Sequence, residues 1–111
     1  MPNNTTRLNR VFQALADPTR RAVIERLNRG PAPVTELARP FKMALPSFSQ
    51  HLAVLRNCGL VRSRKLGRVR TYQLAPRPLK TAETWLETQR AHWERRLGQL
   101  DTYLADLKGK Q

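Results

Sequence analysis

The sequence predicts a mainly α-helical fold with a single β-hairpin, and three observations support this fold class. Apolar residues recur at helical spacing through residues 8–55. The pattern changes to that of two short strands around a glycine in residues 61–74. Leucine or tryptophan then recurs every seventh position in residues 79–107, which is typical of one long helix with an apolar stripe.

The first predicted helix has the i, i+3, i+4, i+7 spacing of a helix with one apolar face and ends near Ala16. A second helix starts at Asp17-Pro18, because Asp17 can accept a hydrogen bond from unpaired helix amides and proline suits the first helical position. Gly30-Pro31 ends this helix. The predicted apolar residues of the two helices are Leu8, Val11, Phe12 and Leu15, then Val23, Ile24 and Leu27.

The third and fourth predicted helices are separated by a short turn. Thr35 is the candidate cap of the third helix, over residues 36–42, which must be brief or distorted because Pro40 fits poorly beyond the first turn. Pro46 opens the fourth helix, and Asn57-Cys58-Gly59 closes it. Its predicted core residues are Leu45, Phe48, Leu52 and Leu55.

Residues 61–74 are predicted to form a hairpin with Gly67-Arg68 as its two-residue turn. This turn places Lys65 opposite Arg70, which is unfavourable by roughly 0.2–1 kcal/mol unless a negative group lies beside the pair. A phosphate would supply that charge. The register also pairs Leu66 with Val69, Ser63 with Tyr72 and Val61 with Leu74, so that Val61, Tyr72 and Leu74 face the core.

The last predicted helix spans residues 79–108, after Pro76 and Pro78 break the chain. Helix, helix, short helix, helix, hairpin and long helix is the order of a winged helix-turn-helix domain with an additional long C-terminal helix. The 111 residues suffice for one domain. We therefore expect a winged-helix core at residues 7–78 and a dimerisation helix at residues 79–108.

The charge of the chain predicts a polyanionic partner, nucleic acid before a membrane surface. Lysine and arginine number 21 and acidic residues 8, which gives a net charge of +13. Residues 61–80 contain seven basic and no acidic residues, whereas residues 81–111 contain five of each. The anion-binding surface is therefore expected in the middle of the chain, with a merely solvated basic surface as the alternative.

The outer face of the fourth helix is nearly uncharged and carries short hydrogen-bonding groups. Gln50 points away from the apolar side, Ser47 and Val54 share its stripe, and Ser49 and His51 flank it. Such a face fits a major groove, where glutamine can pair with both a donor and an acceptor of adenine. We interpret these five residues as base readers. Simple solvation is the alternative, and for His51 the alternatives are a phosphate contact or a hydrogen-bonded helix flank.

The hairpin is expected to contact the DNA backbone as a wing, with a solvated charge run as the alternative. The expected contacts are basic residues of the two strands and the turn, namely Arg62, Arg64, Lys65, Arg68 and Arg70.

The last helix is expected to pair two chains. Thirty helical residues span about 45 Å, which is more than a small domain can cover. A two-fold dimer would present two fourth helices roughly 34 Å apart to an inverted-repeat site. Packing within one chain is the alternative for Trp85 and Leu86. The expected interface comprises Leu8, Phe12, Leu86, Trp93, Leu97, Leu100, Leu104 and Leu107.

Several functional classes are disfavoured. With one cysteine and two histidines, the chain predicts no disulfide framework, no metal site and no cofactor. An enzyme is not expected, since the two histidines lie 41 positions apart and no glycine-rich phosphate loop is present. No apolar run is long enough to cross a bilayer, and the segment 1–6 lacks the apolar stretch of a signal peptide. We expect a cytoplasmic protein. Cys58 is either a redox sensor or a small packing residue.

Four motifs follow one another in the chain, namely LADPTRR at 15–21, VTELA at 34–38, SQHLAVL at 49–55 and GLV at 59–61. Across about residues 8–74, their order and residues resemble the ArsR family of bacterial winged-helix repressors. The resemblance implies a homodimer that occupies operator DNA and leaves when an effector binds. It also implies that the helix with Ser47, Ser49, Gln50 and His51 is the recognition helix, that the hairpin is the wing, and that the first and last helices form the dimer.

Departures from the family pattern point to its branch without metal sites. The paired cysteines of soft-metal sensors are missing from residues 36–40, and only His92 stands on the last helix, where other members carry Asp, His and Glu ligands. Ala44 replaces a frequent capping serine, while Trp85, Glu87, Trp93 and Leu97 resemble the last helix of the metal-free branch.

The resulting hypothesis is a sequence-specific dimeric repressor, located on the bacterial nucleoid, that binds double-stranded DNA and is released by a small-molecule or protein effector other than a metal ion. The alternative is a non-specific nucleoid- or RNA-associated basic protein.

Overall fold

The computed structural model describes residues 4–109, with side chains described from residue 5 onward. The expectation of no signal peptide rests on residues 1–6, of which residues 1–3 lie outside the described residues. In the described part of the chain, no helix is both long and apolar enough to span a bilayer. The elements in chain order are α1 (Asn4–Leu15), α2 (Pro18–Leu27), β1 (Ala32–Pro33), α3 (Val34–Ala38), α4 (Leu45–Asn57), β2 (Val61–Leu66), β3 (Val69–Leu74) and α5 (Pro76–Gly109).

The junction between α1 and α2 forms as the sequence predicts. Asp17 caps α2 by accepting a hydrogen bond from the backbone N–H of Arg20 at 3.1 Å, and Pro18 occupies the start of the helix. The Arg20 side chain donates from Nε to the carbonyl oxygen of Ala14 at 2.7 Å and from Nη2 to that of Gln13 at 2.9 Å. These two bonds satisfy carbonyl groups at the end of α1 that have no partner within the helix.

The segment before α3 differs from the sequence prediction. Ala32 and Pro33 form a short strand, β1, that pairs antiparallel with β3 and completes a sheet of order β1-β3-β2. Thr35 is not the cap of α3, because the helix already begins at Val34 with Pro33 in the cap position and no side-chain capping bond. Because Ala32 and Pro33 pair with β3, their backbone is extended, and the helix begins directly after them. The helix ends at Ala38, as brief as Pro40 requires.

Helix α4 presents a narrower apolar face than predicted. Phe48, Leu52 and Leu55 are fully buried, but Leu45 is 58% exposed, so its expected place in the core is wrong. Leu45 is the first residue of the helix, a turn before Phe48, and lies beyond the edge of the core. Ala44 occupies the cap position and makes no side-chain capping bond.

The hairpin has the predicted register, with Val61 opposite Leu74, Ser63 opposite Tyr72 and Lys65 opposite Arg70. Gly67 adopts φ of +62° at the turn, a backbone conformation that glycine reaches without strain. Val61 and Tyr72 are buried in the core.

Helix α5 begins at Pro76, three residues before the predicted start, and runs for 34 residues. Both Pro76 and Pro78 fit within its first turn, where a helix does not require the backbone N–H that proline lacks. The prediction that these prolines break the chain before the helix is therefore wrong. Among the helix residues, Ala82 is the buried one.

The core lies between α1, α2, α4 and the sheet, and α5 extends beyond it. The molecule measures 76 × 35 × 22 Å, and its radius of gyration is 20.4 Å, compared with about 13 Å for a compact domain of 100 residues. The core residues with the largest fully buried side chains are Val23, Leu37, Phe48, Leu52, Leu55, Leu60 and Val61.

Candidate nucleic-acid interface

Helix α4 exposes four of the five residues interpreted as base readers. Ser47, Ser49 and Gln50 are exposed, and Val54 is 38% exposed. In the part of the chain that the structure describes, the side chains of Ser47, Ser49 and Gln50 have no hydrogen-bond partner. The buried residues Phe48, Leu52 and Leu55 hold the opposite side of the helix against the core. The structure therefore brings these polar groups together on one free, uncharged face.

His51 has a different environment, since its side chain is only 23% exposed. Its Nδ1 atom accepts a hydrogen bond from Nη1 of Arg20 at 3.2 Å and lies 3.8 Å from Oδ2 of Asp17. Because a guanidinium only donates, Nδ1 carries no proton in this contact. The ring thereby links α4 to the start of α2. Of the two alternatives for His51, the hydrogen-bonded helix flank matches this geometry.

Asp17 contributes a negative charge to the same cluster. Desolvation opposes its ionisation, but the hydrogen bonds from the backbone of Arg20 and Thr19 and the charge of the Arg20 guanidinium together hold the pKa of this carboxyl below its usual value. Asp17 therefore stays ionised and continues to accept from the first turn of α2. The cluster sets the orientation of α4 relative to α2, which is how it bears on the reading face.

The wing presents the predicted basic residues to solvent. Arg62, Arg64, Lys65 and Arg68 are exposed and have no ion pair among residues 5–109. Arg70 donates from Nη1 to Oγ of Ser63 at 2.8 Å. This bond joins β3 to β2, while Lys65, which lies opposite Arg70, has no ion pair among the described residues. The wing is thus a surface of positive charge without internal counter-ions.

The apolar stripe of α5 is uncovered in the single chain. Leu8 and Phe12 of α1 are half-buried against the core, and Phe12 makes an edge-to-face contact with Trp85, with ring centroids 5.6 Å apart. The intramolecular alternative thus applies to Trp85 in part, since this residue remains 44% exposed. The expected interface residues on α5 are between 44% and 64% exposed, namely Leu86, Trp93, Leu97, Leu100, Leu104 and Leu107.

Two residues near these surfaces were not found by sequence reasoning. Tyr103 is 60% exposed and lies three positions after Leu100, so the helical spacing could have added it to the stripe. Arg20 joins α1, α2 and α4 through side-chain bonds, and no local pattern in the sequence indicates this role.

Potential metal ligands do not converge in the described part of the chain, where no three His, Cys, Asp or Glu side chains form a group. The Nδ1 atom of His92 on α5 lies 2.9 Å from Nη2 of Arg95. Cys58 is half-buried and donates from Sγ to the carbonyl oxygen of Leu55 at 3.3 Å.

Comparison with known families and proteins agrees with this geometry. A family described as "Bacterial regulatory protein, arsR family" matches residues 17–63. The chain is 49% identical over 79 residues to the HTH-type transcriptional regulator Rv2034 of Mycobacterium tuberculosis, covering 71% of this chain and 74% of that protein. It is 30% identical over 79 residues to the transcriptional repressor SdpR of Bacillus subtilis, covering 71% and 88%.

Solved structures with the same fold extend the likeness to most of the chain. A crystal structure of an ArsR family transcriptional regulator has 53% sequence identity and a TM-score of 0.79, covering 85% of this chain and 97% of that one. A second has 28% identity and a TM-score of 0.60, covering 80% and 81%. It is the solution structure of the homodimeric winged helix-turn-helix DNA-binding domain of a possible ArsR-family regulator from Mycobacterium bovis.

Proposed function

Because the chain belongs to the ArsR family of bacterial regulatory proteins, which bind DNA and are transcriptional regulators rather than enzymes, we propose that it is a sequence-specific, homodimeric repressor. The observation that carries this proposal is the free, uncharged face of α4 next to a wing whose cations lack counter-ions. In this proposal residues 7–78 form the DNA-binding core and residues 79–108 the dimerisation helix. Operator binding would bring the protein to the nucleoid.

Base reading is assigned to the exposed face of α4. Gln50, Ser47 and Ser49 offer donors and acceptors to base edges in a major groove, and Val54 offers an apolar contact to a thymine methyl group. His51 uses Nδ1 to contact Arg20, so only its Nε2 atom is available to a base or a phosphate. The proposal therefore expects Gln50 to contribute more to sequence preference than His51.

Backbone contacts are assigned to the wing. The exposed guanidinium and ammonium groups of Arg62, Arg64, Lys65 and Arg68 carry no sequence information and would hold the phosphates. Arg70 would join them by exchanging its bond to Ser63 for one to a phosphate. A phosphate between Lys65 and Arg70 would also neutralise the like charges that the hairpin register places opposite each other.

Dimerisation is assigned to α1 and α5. The α5 residues Leu86, Trp93, Leu97, Leu100, Leu104 and Leu107 repeat along one helix and are all exposed in the single chain, which is costly in water unless a partner covers them. Leu8 and Phe12 would extend this surface at its proximal end. The homodimeric state of the Mycobacterium bovis domain supports the same arrangement here. A two-fold dimer requires an operator with inverted repeats.

Repression is the proposed outcome of operator binding, with support from the likeness to a relative named as a repressor. The proposed release signal is an effector other than a metal ion, since the cysteine pair of soft-metal sensors is missing from residues 36–40.

The test is to select bound sequences from a random DNA library and to measure affinity for the selected inverted repeat and for scrambled DNA at one salt concentration. A specific regulator should prefer the selected repeat by about a thousandfold or more. A ratio near one would instead support the alternative, a non-specific nucleoid- or RNA-associated protein, which the net charge of +13 also favours.

A further inference from the structure

A cavity at the C-terminal end of α4 is lined by arginines from three helices. Its volume is about 320 Å³, within the size range of small-molecule sites. Arg7 and Arg10 reach it from α1, Arg56 from the last turn of α4 and Arg77 from the first turn of α5. The lining includes no acidic residue. The four cations come from separate parts of the chain, so only the packing of the helices brings them together.

None of these four guanidinium groups has a hydrogen bond or an ion pair with any other described residue. Arg7 and Arg10 are also neighbours on one face of α1, where like charges repel each other. The three basic side chains of α2, by contrast, all form bonds within the chain, namely Arg20, Arg21 and Arg26. The cavity therefore holds an uncompensated positive charge, and a bound anion would relieve the repulsion.

The remaining walls suit a small organic or inorganic anion. Val11 and Pro78 supply apolar surface, and the side chain of Asn57 supplies a hydrogen-bonding group. Cys58 adds no negative charge, because burial raises the pKa of its thiol. The carbonyl groups at the end of α4 do not oppose an anion strongly, since the backbone N–H groups of Cys58 and Gly59 already donate to two of them.

The cavity lies away from the reading end of α4. Ser47 and Asn57 are ten residues apart on the helix, which corresponds to about 15 Å along its axis. Recognition helices of this type contact bases through their N-terminal residues, so Arg56 lies at the end that faces α1 and α5. An anion held here would touch the recognition helix and both helices assigned to the dimer.

We propose that this cavity binds a small oxyanion with two or more negative charges, carried by carboxylate or phosphate groups, and that its binding weakens operator binding. The weakening rests on the function proposed above. The anion neutralises part of the positive field that attracts DNA. By contacting arginines of all three helices, it also restrains α4 relative to α1 and α5. By linkage, operator DNA must weaken anion binding by the same factor.

Anion binding is tested on the full chain without DNA, by calorimetry at constant ionic strength, with citrate, pyrophosphate and acetate as probes. We expect citrate or pyrophosphate to bind one site per chain at least tenfold more tightly than acetate. The double variant Arg10→Gln/Arg77→Gln should weaken that binding at least tenfold. The control Arg29→Gln/Lys80→Gln also removes two positive charges, but from outside the cavity. Its anion affinity should stay within twofold of that of the original chain.

A second measurement uses Cys58 as a reporter. The bound probe should slow alkylation of this thiol by iodoacetamide at least threefold in the original chain and in the control variant, but not in Arg10→Gln/Arg77→Gln. Circular dichroism checks that each variant is folded, which is expected because the four side chains are exposed.

Several outcomes would overturn the proposal. If neither polyanion binds, the cavity is not an anion site. If both double variants weaken binding alike, the overall positive charge of the chain holds the anion, which is then an adventitious ion only. If the original chain binds neither polyanion, and Arg10→Gln/Arg77→Gln makes the salt slope of DNA binding shallower by about two, these arginines contact DNA phosphates instead. Anion binding that leaves operator affinity unchanged would overturn the regulatory part. If the original chain shows no sequence preference for DNA in the absence of any anion, this result contradicts the proposed function but does not contradict the anion site.

Discussion

Gln50 and His51 are neighbours on α4, but their polar atoms have different partners. The Gln50 amide is free among the described residues, whereas His51 is held by Arg20 at 3.2 Å and lies near Asp17. An unpartnered amide can exchange its water contacts for a base edge without breaking an internal bond. At the residue scale, sequence reading is therefore expected from Gln50 and orientation of the helix from His51.

Replacing Gln50 with alanine should cost about 1–3 kcal/mol of operator binding and relax the preference at one operator position. The matched change Arg64→Ala should instead weaken all DNA sequences alike and make the salt slope shallower by about one. Binding isotherms at three salt concentrations, on operator variants and on scrambled DNA, measure both effects. Identical behaviour of the two variants across sequences would contradict the separation between reading and anchoring residues.

Among the elements, α2 shows how one side chain can serve two helices. Asp17 caps α2 and lies next to His51 of α4. The neighbours of Asp17 keep it ionised, since its pKa lies below the usual value in the folded state. A carboxyl whose pKa is lowered on folding stabilises the protein above its unfolded pKa. That stabilisation is lost as the pH falls through the folded value.

The unfolding free energy should therefore decline as the pH falls below 3.8, the ordinary pKa of Asp17. Asp17→Asn keeps a capping oxygen but cannot titrate, so its stability should stay close to that of the original chain at pH 7 and depend less on pH between 4 and 2. Asp17→Ala should be less stable at pH 7. Urea unfolding at a series of pH values tests this; equal acid sensitivity in the Asn variant and the original chain would show that other carboxyls, such as Glu36, account for the decline.

In the whole molecule, α5 extends beyond the core, and its residues 93–109 are all exposed. The 76 Å length and the exposure of Leu100, Leu104 and Leu107 describe a single chain with an uncovered apolar stripe. The zero net charge of residues 81–111 fits the proposed pairing of this helix, which requires no attraction to DNA.

Deleting residues 98–111 should yield monomers in sedimentation equilibrium and weaken operator binding by about a hundredfold or more, since two linked reading helices gain from each other's binding. Deleting only residues 108–111 removes charge but keeps the stripe, and should leave the dimer intact. Circular dichroism of residues 1–97 checks that the core still folds. A truncated chain that remains dimeric would contradict the assignment of the distal leucines to the interface.

Most of the secondary structure could be predicted because its causes are local. The cap at Asp17, the two-residue turn at Gly67 and the hairpin register depend on residues close together in the sequence, and periodicity detects the buried side of α4. The early start of α5 was missed because prolines that usually interrupt a helix are compatible with its first turn. Leu45 was misplaced because periodicity gives the direction of a side chain but not where the core ends.

The amino-acid sequence was enough to predict the order of the helices and the hairpin, the positive charge in the middle of the chain, and the identity of the groups on the outer face of α4. The packing of the elements was needed to show that Ala32 pairs with Tyr72, that Arg20 bonds to His51, and that arginines of α1, α4 and α5 line one cavity. The difference is one of range: helical spacing, caps and turns act over a few residues, whereas these contacts join elements whose residues are at least 21 positions apart and exist only when the helices and the sheet pack together.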